Sequence, residues 1–205
     1  MKNPMKKLIF HGGLLLAAVA IVLAFATPGY EVGDTVRDFK LKNVDGKFIS
    51  LSEYGSKGAI IIFDCNTCPV SKAYNDRIVQ LHKKFKEKGY PVIAINSNDA
   101  VKSPGDSFEH MVSHAKKKSY DFPYLYDESQ EVARLFGATN TPHVFVVNRS
   151  GENFKVAYIG AIDNNTQNAD AADKKYVEDA VNALVQGKPV SNSRTKAIGC
   201  GIKYR

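Results

Sequence analysis

From residue 33 onward the apolar positions change period several times, and each change marks an element. Phe39 to Leu51 predicts a β-hairpin about Asn43-Val44-Asp45-Gly46, because Asp-Gly tolerates the positive φ angles of a tight turn. Ala59 to Asp64 is a short apolar run rich in isoleucine, which suits a strand buried on both faces. The period then lengthens. Ala73, Ile78, Leu81 and Phe85 mark one face of a helix that Gly89 ends and Pro91 keeps from resuming. Pro91 to Ser97 reads as a second buried strand, and joining it to the first through that helix makes a right-handed parallel crossover.

Further along, Asp106 to Ser119 predicts a helix whose acidic start and lysine-rich end suit its macrodipole. Tyr124 to Tyr126 predicts a short strand, and Ser129 to Phe136 a short helix closed by Gly137. Val144 to Asn148 and Lys155 to Ile162 form a hairpin about Ser150-Gly151, and Ala171 to Gln186 is the last helix. The order hairpin, βαβ, helix, βα, ββα predicts an α/β fold: a central mixed β-sheet with helices on both faces.

Residues 1–26 stand apart from this pattern. Met1 to Lys7 is basic, Leu14 to Phe25 is continuously apolar, and Ala24-Phe25-Ala26 offers the small residues of a cleavage site. The segment reads as a secretory signal peptide cut after Ala26. An uncleaved anchor is the alternative, since Leu8 to Ala26 is just long enough to span a bilayer. In either case the basic end stays inside and the domain faces outward, in the bacterial periplasm, secreted or membrane-tethered.

At 205 residues the chain suits one domain with a substantial core. Its division is then 1–26 as signal or anchor, 27–190 as the folded domain, and 191–205 as a C-terminal tail carrying Cys200. Export also changes the charge. Removing Lys2, Lys6 and Lys7 leaves 25 basic against 21 acidic residues, near +4. The lysines at 83–88 and 116–118 fall on predicted helices as solvated faces, so no nucleic-acid partner is expected, and a membrane only if the anchor is retained.

Cys65 and Cys68 lie where the first buried strand gives way to its helix. Sites of α/β folds gather at that rim. Cys65 falls in the turn and Cys68 in the first helical turn, where free N–H groups and the helix dipole favour a thiolate. A second thiol three residues on can attack the mixed disulfide that the first forms, giving two-electron exchange. Pro69 suits a helix start, where its missing donor is not needed. Other uses of the pair fit less well. A c-type haem needs His where Pro69 stands, and a structural zinc site would have to recruit Cys200 and scattered histidines.

The succession of strand, C-x-x-C, helix and a later Thr141-Pro142 before a strand resembles the thioredoxin superfamily. FDCNTCPVSKAYNDRI (63–78), INSNDA (95–100), DSFEHM (106–111), FPYLYDESQEVARLFGATNTPHVFVV (122–147), YIGAIDNN (158–165) and TKAIGCGIKYR (195–205) resemble its redoxin, or AhpC/TSA-like, branch from Val32 to Arg205. That resemblance implies a thioredoxin-like fold with the predicted hairpin as an N-terminal extension. It implies Cys65 as the exposed attacking thiol and Cys68 as the buried resolving one. It makes Thr141-Pro142 a cis-proline loop facing the disulfide, where an extended substrate pairs with the backbone.

Departures from the branch narrow the expectation. Thioredoxins usually have Trp before the first cysteine and Gly-Pro between the two, whereas Asp64 precedes and Asn66-Thr67 intervene in a chain without tryptophan. Peroxiredoxins carry P-x-x-x-T-x-x-C, but Ile62 and Gly58 stand three and seven residues before Cys65, and Cys65 and Ile61 before Cys68. Thioredoxin-fold copper chaperones usually space their cysteines one residue wider and add a distant histidine. His143, following Pro142, is the obvious one.

The expected activity is therefore an exported thiol-disulfide oxidoreductase without a bound organic cofactor, acting on protein thiols and disulfides with a protein electron donor. A thiol peroxidase using peroxide, with Cys200 as an extra resolving thiol, comes second. A copper-binding or assembly protein comes third. Asp64 stands beside Cys65 as a proton carrier, a negative charge that raises the thiol pKa, or a strand-end residue. The helix start should still leave Cys65 somewhat more acidic than a free thiol. Cys200, flanked by Gly199 and Gly201 in a flexible tail, either resolves a mixed disulfide with Cys65 or is an incidental thiol.

Overall fold

The computed structural model describes residues 29–205; the expected signal or anchor at 1–26 lies outside the described residues. At the centre is β4 (Gly58–Phe63), with all six residues buried. It pairs in parallel with β5 (Val92–Asn96) and antiparallel with β8 (His143–Ser150), the two being its neighbours in the sheet. With a strand on each side and cover on each face, the GAIIIF run has no solvent side, which is why it shows no alternation. α2 (Pro69–Phe85) connects β4 to β5.

The remaining strands extend this centre both ways. On one side β8 pairs with β9 (Asn153–Gly160), which pairs with β1 (Thr35–Val36). On the other, β5 pairs in parallel with β6 (Tyr124–Tyr126), followed by β2 (Lys40–Asn43) and β3 (Phe48–Ser50). The N-terminal hairpin is thus the edge of an eight-stranded mixed sheet, turning at Gly46 with φ +85°.

Successive side chains of each strand face opposite ways and build two cores. Ile60, Ile62, Val92, Ala94, Val144 and Val146 pack with Tyr74, Ile78, Leu81 and Phe85 of α2. Met111 of α3 (Phe108–Lys117) and Val177 and Val181 of α5 (Tyr176–Val185) complete that layer. Ala59, Ile61, Phe63, Ile93, Ile95 and Phe145 face the other way. They meet Leu51 of α1 (Leu51–Tyr54), Val132 and Phe136 of α4 (Glu131–Phe136), and Ile202 near the C-terminus.

Two expectations change. The last helix starts at Tyr176, five residues later than its pattern suggested. Asn164 Oδ1 takes the Lys174 N–H, so a side chain holds that donor outside a helix. The C-terminal segment is laced to the sheet, in contrast to the flexible tail expected. Ile159 N–H donates to Ser193 O and Thr195 N–H to Ile159 O, after which β10 (Cys200–Gly201) pairs antiparallel with β7 (Asn140–Thr141).

Candidate active site

β4 delivers Asp64 and Cys65 to the sheet rim, and Cys68 is the N-cap of α2 with Pro69 as its first helical residue. The Cys68 amide donates to Cys65 Sγ at 3.4 Å. Thr141 reaches both sulfurs: its hydroxyl lies 3.0 Å from Cys65 Sγ, and its carbonyl accepts from the Cys68 thiol at 3.2 Å. The Thr141-Pro142 peptide bond is cis. The Cys200 amide, carried in by β10, donates to Cys68 Sγ at 3.4 Å. All three cysteines are therefore neighbours, and all are free thiols.

Their acidities do not follow the sequence expectation. Cys65, expected to be exposed and acidic, is only 1% exposed. Burial pushes its thiol up and the Asp64 carboxylate adds to that, outweighing the Thr141 hydroxyl and the Cys68 amide. Cys65 is also three residues short of the helix N-cap, beyond the strongest part of the helix-end field. Burial likewise raises Cys68, but the Cys200 thiol and the amides of Ser71, Cys200 and Val70 prevail, and its pKa falls below the ordinary value. Cys200 moves up, to about 11, because its thiol donates toward Cys68 and is partly buried. Of the three thiols, Cys68, the N-cap of α2, is the one whose surroundings favour loss of the proton.

Two carboxylates stand behind the turn. Asp64 is 1% exposed and leaves Oδ1 without a hydrogen-bond partner. Burial lifts its pKa to about 6, against the lowering effect of Ser71 and the Cys65 amide. Asp106 is equally buried but accepts from Asn66 N and Thr67 Oγ1 at 2.7 Å, Ser103 Oγ at 2.6 Å, Asn98 Nδ2 at 2.8 Å and Asn96 Nδ2 at 3.2 Å. Burial alone would raise it, yet these donors bring it below the carboxylate range. Asp106 thereby fixes the Asn66-Thr67 turn between the cysteines, and Tyr124 OH adds a bond to Asn66 Oδ1 at 2.9 Å.

Sequence reasoning treated Asp106 only as the acidic start of a helix. A usable signal was the polar run Asn96-Ser97-Asn98-Asp99 directly after an apolar strand, since buried polar groups at a strand end need an acceptor to converge on.

His143 does not join the cysteines. Its Nδ1 accepts Thr139 N–H at 3.3 Å and its ring packs on Phe145 at 4.7 Å. Burial, with Arg194 nearby, pushes its pKa down to about 4. It lines a cleft of about 360 Å³ with Tyr30, Asn140 and Arg194, and the cysteine-plus-His143 set of the copper reading is not assembled. Among the described residues no three His, Cys, Asp or Glu side chains gather as a metal site.

Comparison with known proteins agrees with this architecture. Thiol-disulfide oxidoreductase ResA of Oceanobacillus iheyensis is 28% identical over 162 residues, spanning 74% of this chain and 81% of its own. The crystal structure of an uncharacterized conserved protein from Geobacillus kaustophilus superposes with a TM-score of 0.79 at 35% identity, covering 85% of this chain and 93% of the other. The exposed lipoprotein thioredoxin of Streptococcus pneumoniae shares the fold, with a TM-score of 0.55 at 20% identity over 74% of this chain and 99% of its own. The model of the AhpC/TSA family matches residues 32–156, and on that match over most of the folded chain this protein belongs to the AhpC/TSA family, built on a thioredoxin-like fold.

Proposed function

We propose that this protein is an exported thiol-disulfide oxidoreductase that cycles Cys65 and Cys68 between dithiol and disulfide, exchanging electrons with protein thiols and disulfides. The observation that carries this reading is the meeting of both sulfurs with Thr141 at the junction of β4 and α2. In the reducing direction the roles implied by the resemblance are exchanged, because Cys68 caps α2 while Cys65 lies beside Asp64: the deprotonated Cys68 attacks a partner disulfide and forms a mixed disulfide. Cys65 then loses its proton and attacks Cys68 Sγ, closing the pair and releasing the partner as a dithiol. Asp64, adjacent in sequence and lifted by burial to about 6, is suited to accept the Cys65 proton. The name of the ResA relative supports the reaction class.

Export rests on the basic, apolar and small-residue succession of residues 1–26. Fractionation of cells carrying the full chain, with N-terminal sequencing of the product, tests it; a cytoplasmic product with an intact N-terminus rejects it.

The reaction is tested with purified residues 27–205 in insulin disulfide reduction under a thiol donor, with peroxide consumption measured in parallel. Cys65→Ser and Cys68→Ser should each abolish insulin reduction. Full activity of either variant rejects the dithiol cycle. Peroxide turnover without insulin reduction would replace this reading with the thiol peroxidase that the AhpC/TSA match keeps as the second candidate.

A further inference from the structure

The segment after α5 returns to the dithiol and lies on the loop that meets both sulfurs. Cys200 stands opposite Thr141, and Gly201 opposite Asn140, in an antiparallel pair. An extended strand added to an open backbone edge is a common way for a protein to hold a peptide. Here the added strand belongs to the same chain, and its cysteine is the residue placed against the dithiol. Close approach is built in at Gly199, where a Cβ would fall 2.1 Å from Thr141 O.

The strand is held in place beyond Cys200. Ile202 N–H donates to Thr139 O at 3.0 Å, Lys203 N–H to Asn98 Oδ1 at 2.8 Å and Arg205 Nε to Asp99 Oδ2 at 2.7 Å. With the strand docked, Cys65 and Cys68 are 1% and 2% exposed, whereas Cys200 is half-buried. Cys200 is thus the most exposed of the three cysteines.

We propose that Cys200 is a third redox cysteine, an internal substrate that receives the disulfide from the buried pair as Cys68–Cys200 and passes it to an outside protein dithiol. The proposal rests on the Cys65–Cys68 cycle above and adds the port through which it reaches a partner. In the internal step the Cys200 thiol gives up its proton and its sulfur attacks Cys68 Sγ of the Cys65–Cys68 disulfide. The Cys68–Cys200 bond forms as the Cys65–Cys68 bond breaks. The electron pair leaves on Cys65 Sγ, which takes up a proton in turn, so the step needs no further oxidant.

A partner thiolate then attacks Cys200 Sγ and expels Cys68 as a thiolate, the state favoured by the amides of Ser71 and Val70. The second partner thiol attacks that mixed disulfide, and the partner leaves oxidised while the three cysteines return to thiols. A protein disulfide donor of the proposed cycle restores the Cys65–Cys68 bond.

The test uses the complete mature chain, oxidised with diamide, alkylated, digested without reductant and mapped by mass spectrometry. Wild-type protein should yield both Cys65–Cys68 and Cys68–Cys200 peptides, and Cys65→Ser should yield Cys68–Cys200 as its main disulfide. Gly199→Val keeps all three thiols but crowds the strand off Thr141; it should lower the Cys68–Cys200 yield at least ten-fold while Cys65–Cys68 persists. Circular dichroism melts accompany each variant, and Cys65→Ala replaces Cys65→Ser should the latter fail to fold.

If Cys65–Cys68 forms and insulin is reduced, but neither wild type nor the Cys65 variants link Cys68 to Cys200, the internal-substrate proposal is overturned and the dithiol cycle stands. An unchanged Cys68–Cys200 yield in Gly199→Val would also overturn it, because the link would not depend on strand docking. If no Cys65–Cys68 bond forms at all, the dithiol cycle itself fails.

Discussion

Asp64 and Asp106 are two buried carboxylates on either side of the same four-residue turn, and their surroundings drive them in opposite directions. Asp64 closes β4 with one oxygen unpartnered and a pKa lifted to about 6. Asp106 precedes α3, gathers five donors and stays ionised below the ordinary carboxylate range. Both side chains are out of contact with solvent, and Asp106 has five donors where Asp64 leaves an oxygen unpartnered, which sets their shifts in opposite directions. Asp106 holds the turn through these bonds, and Asp64 takes the Cys65 proton in the cycle proposed above.

The comparison breaks most visibly at Asp106. Asp106→Ala removes the common acceptor and strands several buried donors, so a loss of about 4 kcal/mol in urea unfolding is expected. A loss under about 1 kcal/mol would show that the turn stands without it.

Asp64 gives the next effect, with its sign set by pH. Its folded pKa lies above the unfolded value of 3.8, so its stabilising contribution is fully present below that value and is lost as pH rises through about 6. Asp106 has the opposite linkage: its contribution is present above 3.8 and lost as pH falls through its lower folded pKa. His143 also varies between about 4 and 6.5, in the sense opposite to Asp64, so the informative quantity is a difference between variants. Relative to wild type, Asp64→Asn should become more stable by about 2 kcal/mol as pH is raised from 4 to 7. Denaturant titrations at several pH values measure this, and a pH-independent difference would mean that Asp64 is not lifted.

The same variant should lower the Cys65 alkylation midpoint, because a neighbouring negative charge is gone. An unchanged midpoint would leave burial as the whole cause. Tyr124→Phe is the mildest change. It removes the phenolic bond to Asn66 on the Asp106 side and should cost about 1 kcal/mol while leaving the Asp64 pH profile in place.

The chain's own order of residues determined the β4–α2–β5 crossover, the hairpin about Gly46, and the placement of Cys65 and Cys68 at a strand-to-helix junction. Those features come from contacts between near neighbours: the apolar period, the turn dipeptide and the proline at a helix start write themselves into consecutive residues. The family resemblance added Thr141-Pro142 as the facing loop.

Only the tertiary structure decided the direction in which each thiol is shifted, because that depends on burial of Cys65, the Asp64 charge and the Cys200 thiol and amides around Cys68. It also decided that Asp106, 40 residues from Asn66, anchors the dithiol turn, and that Cys200, 59 residues from Thr141, completes a strand there. Such pairs leave no periodic trace in the sequence, since each residue's role is fixed by a partner that the fold alone brings within hydrogen-bond distance.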